Sequence, residues 1–257
     1  MADADLLIDV DNLTRRFPRC EALGGVSFQI RRGEVAGLLG PNGSGKTTTL
    51  RILAGYLAPT SGRVEVAGHD VTAESREARR RIGYLPESVP LYPEMRIDEY
   101  LAFRGRIRGL RGPRLAARLR EVIEQCGLGD CSRRVIGTLS RGYRQRTGLA
   151  DCLLHRPDVL LLDEPLAGLD PAQAHAIRQL LNEWDRSRTV VFSTHVLSEV
   201  EHLCHRVLIL NAGRLAAADS PERLVHAQSA TGFEDAFLRL TTLPPRVQNP
   251  DGRRRGP

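Results

Sequence analysis

Apolar and polar residues alternate over Leu6 to Leu13 and again over Val26 to Ile30, the two-residue period of strands that bury one face, and the stretch between them reads as a polar bend. Another short strand is expected at Arg63 to Val66, after the turn residues Pro59-Thr60-Ser61-Gly62. Together these predict an antiparallel β portion. Glu34 to Leu39 is different: it is apolar almost throughout, as a strand covered on both faces must be. It runs into a glycine-rich turn and a helical stretch from about Thr47 to Leu57.

From Pro86 to Pro157 the spacing of apolar residues changes to three and four. Helices are predicted over Ile97 to Arg108, Leu115 to Cys126 and Gly142 to His155. After Pro157 strands and helices alternate, with strands at Val159 to Leu162, Thr189 to Ser193 and Val207 to Leu210 and helices at Ala172 to Trp184 and Leu197 to Leu203. The fold class that follows is α/β, with a mainly parallel sheet core, an antiparallel β portion and an inserted helical subdomain. One domain is expected over 1–242, with the helical insert at about 87–157. Pro244, Pro245 and Pro250 lead to Arg253, Arg254 and Arg255, so 243–257 is expected to be a disordered basic tail.

Composition narrows the class. Hydrophobic residues make up 41% and charged residues 26%, a balance that supports a packed core. The formal net charge of +6 would permit contact with nucleic acid or an anionic membrane, but the arginines are spread along the chain. The five cysteines, Cys20, Cys126, Cys131, Cys152 and Cys204, have neither the paired spacing of a zinc site nor the even number of a disulfide framework, so a reducing compartment is expected. The N-terminus, Met1-Ala2-Asp3-Ala4-Asp5, is acidic where a signal peptide would be basic. No apolar run approaches the roughly 20 residues that span a bilayer. Any membrane role is therefore expected to be peripheral.

Gly40-Pro41-Asn42-Gly43-Ser44-Gly45-Lys46-Thr47, with Thr48 beside it, matches a phosphate-binding loop between a strand and a helix. Glycines let backbone N–H groups converge on phosphate oxygens, and the following helix aims its positive end at the same anion. Lys46 is placed to bridge the β- and γ-phosphates of ATP, and Thr47 to offer a hydroxyl to Mg²⁺. Lys46 is the only lysine in a chain whose 37 basic residues are otherwise arginine. A compact point charge stands where phosphate chemistry needs one.

Val159 to Leu162 leads into Asp163-Glu164-Pro165, two carboxylates after a buried strand. Such a pair divides the work of phosphoryl transfer: Asp163 toward Mg²⁺, Glu164 toward the attacking water.

Leu139-Ser140-Arg141-Gly142-Tyr143-Arg144-Gln145 precedes that strand and is similar to the LSGGQ signature, so the chain resembles the ABC ATPase family. Ser140 would cap the helix that begins near Gly142 and present N–H groups to an anion. The resemblance covers roughly residues 6 to 240. It implies that Ser140 and Gly142 face the γ-phosphate of ATP on a second subunit, in a head-to-tail homodimer or a heterodimer with a related ATPase. Gly168-Leu169-Asp170 resembles the D-loop, His195 the switch histidine, and Phe17 the aromatic residue that stacks on adenine; on the residues alone, Phe17 also reads as a core phenylalanine. The chain departs from the family in two places, at one position before the helical insert and at two in the signature. Glu87 stands where many members have glutamine, keeping an oxygen for Mg²⁺ but adding a negative charge, and Arg141 and Tyr143 alter the signature.

Tyr84-Leu85-Pro86-Glu87 through Leu91-Tyr92-Pro93-Glu94-Met95, followed by Ser140-Arg141-Gly142-Tyr143-Arg144-Gln145, is similar to an exporter-like branch serving drug, lipid or gliding-type exporters. That resemblance implies an ATPase on the cytoplasmic face of the cell membrane, powering a separately encoded integral membrane permease. The alternative is a soluble family member acting on nucleic acid or the ribosome. Such members carry two ATPase units or a long coiled-coil insert, and this chain has neither; no specific nucleic-acid partner is expected.

Overall fold

The computed structural model describes residues 5–183 and 188–242. The expected basic tail and Trp184, the predicted end of one helix, lie outside them. Two sheets form the frame. Strands β1 (Leu6–Phe17), β2 (Cys20–Arg31), β4 (Ser61–Val66) and β5 (His69–Asp70) make an antiparallel sheet in the order β2-β1-β4-β5. The second sheet has the order β10-β9-β3-β8-β7-β6, built from β3 (Val35–Leu39), β6 (Ile82–Leu85), β7 (Val159–Asp163), β8 (Thr189–Ser193), β9 (Arg206–Asn211) and β10 (Arg214–Asp219). All its neighbours are parallel except β9 and β10.

The first hairpin is longer than its pattern predicts. β1 and β2 run on to Phe17 and Cys20 through the stretch expected to be a polar bend. Register shifts between Val10 and Leu13, Leu13 and Thr14, and Arg15 and Arg16 break the alternation that would have marked it as strand. Gly62 belongs to β4 rather than to a preceding turn, and its positive φ lets the strand pass close to the Asn12 backbone.

The parallel strands sort their side chains by parity. Leu161, Val191, Leu208 and Leu210 face the antiparallel sheet and helix α1 (Lys46–Leu53), where Leu50, Ile52 and Leu53 pack. Leu160, Leu162, Val190 and Phe192 face the other way, onto α5 (Arg141–Leu153) and α6 (Pro171–Glu183) through Leu149, Leu153 and Ile177. Both faces are buried, which is why these strands read as continuous apolar runs. Helix α1 ends at Leu53, short of the predicted Leu57, because Gly55 takes φ 67 and turns the chain away.

Before β6 a short helix, α2 (Ser75–Arg81), buries only Ala78. Between β6 and β7 stand α3 (Ile97–Ile107), α4 (Gly112–Gln125) and α5. Asp151 of α5 ties α3 to α5, accepting from Arg104 Nε at 3.0 Å and from Tyr100 Oη at 3.4 Å. Arg118, nearly fully buried on α4, donates to the carbonyls of Leu153 and Leu154 and so caps the end of α5. Beyond β8 come α7 (Leu197–Leu203), α8 (Pro221–Ala227) and α9 (Phe233–Thr242), which cover β9 through Val200, Leu224 and Phe233.

His155, just past α5, fastens the helical layer to the sheet. Its Nε2 lies 2.9 Å from the Ile82 carbonyl, which can only accept, so Nε2 donates. Burial, with the Arg108 guanidinium nearby, lowers the imidazole to about 4 from its ordinary 6.5, against the opposing pull of the Ile82 bond and Asp151. Between those values the unfolded chain binds more protons than the folded one. The folded protein thus keeps its full stability above about pH 6.5 and loses part of it as pH falls toward 4. Chemical denaturation at pH 7 and pH 5 is expected to show about 2 kcal/mol of loss that His155→Gln removes. An equal loss in both proteins would clear His155 of the effect.

Candidate active site

Parallel pairing brings the chemistry to one edge of the sheet. Asp163 lies opposite Ser193 and Leu38 opposite Ser193, so the C-terminal ends of β7, β8 and β3 are neighbours. The turn after β3 becomes the phosphate loop, and Leu85 opposite Leu162 carries Glu87 to the same edge. A cleft of about 750 Å³ opens there, lined by Gly40 to Thr48, Glu87, Glu164, His195 and Phe17.

The loop is held by close approach. Gly40 and Gly45 have φ of 152° and 106°; a Cβ on Gly45 would come within 2.6 Å of Leu23 and 2.8 Å of the Ala22 carbonyl. Lys46 is buried, with Nζ donating to the Gly40 carbonyl at 2.7 Å and to that of Pro41 at 3.3 Å. Burial lowers its pKa, while Glu164 and Asp163 pull it back up. Ser44 Oγ is buried in the cleft wall with no hydrogen-bond partner among the described residues. A hydroxyl without a protein acceptor and a lysine bent back on its own loop suit a site shaped for phosphate.

The carboxylate end is a chain of contacts through Ser193, which sequence reasoning passed over. Ser193 Oγ donates to Asp163 Oδ1 at 2.7 Å and accepts from the Glu164 backbone N–H at 2.9 Å. Thr47 Oγ1 donates to the same Asp163 oxygen at 3.2 Å. Glu164 stands at φ 49, a conformation rarely taken by a side chain other than glycine or asparagine, and the Ser193 bond helps to hold it. Its Oε2 accepts from His195 Nδ1 at 2.8 Å; since a carboxylate only accepts, Nδ1 carries the proton. The one available signal for Ser193 was a hydroxyl ending an apolar strand.

Glu87 is exposed at the rim of the cleft. Thr47, Asp163 and Glu87 present hydroxyl and carboxylate oxygens, the donor type that Mg²⁺ takes. Phe17 is 38% exposed, not a core residue. Ser140 and Gly142 are not among the residues that line the cleft. Ser140 occupies the N-cap of α5, which begins one residue earlier than predicted, at Arg141. Its side chain makes no capping bond and instead lies 3.5 Å from Gln173 Nε2.

Fold and site define a nucleotide hydrolase of the phosphate-loop class. Residues 23–167 match the ABC transporter family model. The ABC transporter ATP-binding protein YxlF of Bacillus subtilis is 38% identical over 227 residues, 88% of this chain and 75% of its own length. Nod factor export ATP-binding protein I of Burkholderia lata is 36% identical over 222 residues, 86% of this chain and 73% of its own. A solved structure described as the ATP-binding subunit of an ABC transporter superimposes with a TM-score of 0.82 at 27% identity, covering 91% of this chain and 99% of the other. The chain belongs to the ABC transporter family, as its ATP-binding, ATP-hydrolysing subunit. Among the described residues no helix is long and apolar enough to cross a membrane.

Proposed function

We propose that this subunit drives an exporter by docking on a separate integral membrane permease at the cytoplasmic face of the membrane. Gly40 to Thr48 cradle the ATP phosphates, with Lys46 on the β- and γ-oxygens, and Phe17 stacks on the base. Thr47, Asp163 and Glu87 are the residues that would hold Mg²⁺. When bound, the ion neutralises charge developing on the phosphate oxygens. Glu164 takes the proton of the attacking water, and His195 Nδ1–H steadies the carboxylate oxygen it touches. Ser193 positions both Asp163 and Glu164. Ser140 and Gly142, away from their own cleft, complete the site of a second subunit, a homodimer or a related ATPase. ATP closes the pair and hydrolysis reopens it.

One observation carries the coupling to a permease. A second cavity, about 530 Å³, lies between α1, β6, α3 and α5, with Tyr56 and Ile107 on its walls at 72% and 62% exposure. Ser88, Val89 and Pro90 line it, while Glu87, the preceding residue, lines the nucleotide cleft. A permease segment seated in this groove would feel any displacement of Glu87 directly. Exposed aromatic and aliphatic side chains in a concave surface favour such an occupant. Export follows the exporter-like signature and the similarity to an export ATPase.

The test is recovery of the protein from gently solubilised native membranes. It is expected to come away with a polytopic membrane protein, and Tyr56→Asp/Ile107→Asp is expected to lose that companion while keeping its ATPase activity. Recovery only from the soluble fraction, with ribosomes or nucleic acid, would overturn the transport reading.

A further inference from the structure

Arginine is spread along the whole chain, yet between Glu99 and Glu121 there are seven and no acidic residue. Three of the seven are taken up inside the protein. Arg104 and Arg108 reach Asp151, and Arg118 donates to the Leu153 and Leu154 carbonyls. Arg106, Arg111, Arg114 and Arg120 are exposed, and among the described residues no ion pair or side-chain hydrogen bond engages them.

Two of these four flank a trough of about 420 Å³ between α3 and α4. The helices close on each other beside it because Gly105 has no side chain: a Cβ there would come within 2.6 Å of Leu115. Arg106 stands on the α3 side and Arg111 at the start of α4, while Ala102, Leu115, Ala116 and Leu119 supply an apolar floor. No carboxylate lines it. Arg120 follows Ala116 by one helical turn, so it stands on the same side of α4. Ile107, next to Arg106, is 62% exposed and lines the groove proposed for the permease. The end of α3 thus separates that groove from the basic trough.

We infer that the α3–α4 trough docks on the anionic lipid surface of the membrane beside the permease, with Arg106 and Arg111 on lipid phosphates. The inference rests on the reading of the protein as a membrane-docked subunit. Guanidinium groups match phosphate oxygens two at a time, and their stems can lie along apolar surface while the charge stays in the headgroup layer. An apolar floor beside unpaired cations suits an amphiphile, whereas the backbone of a nucleic acid would use the cations alone. Each arginine held near an anionic bilayer adds about fivefold to binding.

The experiment is co-sedimentation of the purified protein with vesicles of phosphatidylcholine alone or mixed with phosphatidylglycerol. Binding is expected only where the anionic lipid is present. Arg106→Gln/Arg111→Gln is expected to weaken it by about 25-fold, with ATP turnover and melting temperature unchanged. Arg214→Gln/Arg223→Gln removes the same charge at β10 and α8, across the sheet from β6 and the helical layer, and is expected to bind within about twofold of wild type. Arg253 to Arg255 are present in every protein compared, so the difference reports the trough. Ala116→Glu, at an exposed helical position, sets a carboxylate on the floor and is expected to weaken binding as well. Equal weakening by the two double variants would reduce the effect to net charge and overturn the inference, as would unchanged binding in Ala116→Glu. Release by millimolar inorganic phosphate would mark a free-anion site instead, and tighter binding to polyglutamate or duplex DNA than to anionic vesicles would make the occupant another polymer; either result sinks the proposal. Vesicle binding that fails while a membrane protein still copurifies would defeat the inference alone; recovery only with ribosomes or nucleic acid would defeat the reading beneath it.

Discussion

Glu164→Gln is expected to cut ATP turnover by about 10²- to 10⁴-fold while ATP still binds. The amide has the shape of the carboxylate, and its oxygen still accepts from His195 Nδ1, so the 2.8 Å contact survives. The backbone bond from Glu164 to Ser193 Oγ involves no side-chain atom of residue 164, so the unusual φ should survive as well. What disappears is the capacity to accept a proton, together with one negative charge beside the phosphates. Nucleotide affinity should therefore hold or rise while phosphate release stops. Single-turnover phosphate release beside calorimetric binding separates the two. Turnover equal to wild type would show that another group activates the water.

Gly40→Ala is expected to be the most damaging single-methyl addition in the loop. A Cβ there would meet the Leu210 carbonyl of the neighbouring strand β9 and Ser44 Oγ, and the first of these cannot swing aside. The sheet edge or the loop must shift, at a cost on the order of 2–4 kcal/mol from overpacking and backbone strain. Either shift moves the amides that converge on phosphate, so ATP affinity should fall by about 10² or more. Gly43→Ala is the control: its φ is 78°, but a Cβ there has nothing within 4 Å, so it should cost only about 1–2 kcal/mol. Melting temperature and ATP binding on both variants decide the matter. Equal losses would mean that conformational freedom, not space, selects glycine at position 40.

The parallel strands and the residues at their ends were legible because burial on both faces leaves unbroken apolar runs that stop at polar side chains. Val159 to Asp163 is the clearest case, with all five residues buried. The lower half of the first hairpin was not legible, since its bulges shift the register three times after Val10. Helix α2 hides because it buries one alanine, and β10 because all six of its residues are half-buried and so give no alternation. Helix α9 did carry a signal, in Phe233, Ala236, Phe237 and Leu240, whose spacing of three and four marks a helical face. In the site, Lys46, Asp163 and Glu164 announce themselves by type and order. Ser193 becomes meaningful only when β8 is set beside β7. The groove draws Tyr56, Tyr84 and Ile107 from three separate stretches, a convergence no local window contains.

The single peptide bond between Glu87 and Ser88 has a consequence for how such a protein diversifies. On the function proposed above, fuel chemistry and partner choice are written in consecutive letters of one short segment, flanked by Pro86 and Pro90. Substitutions at 88 and 89 would then retune which membrane protein is served without touching the residues assigned to ATP, and an insertion of even one residue there is expected to leave both surfaces intact and the engine disengaged.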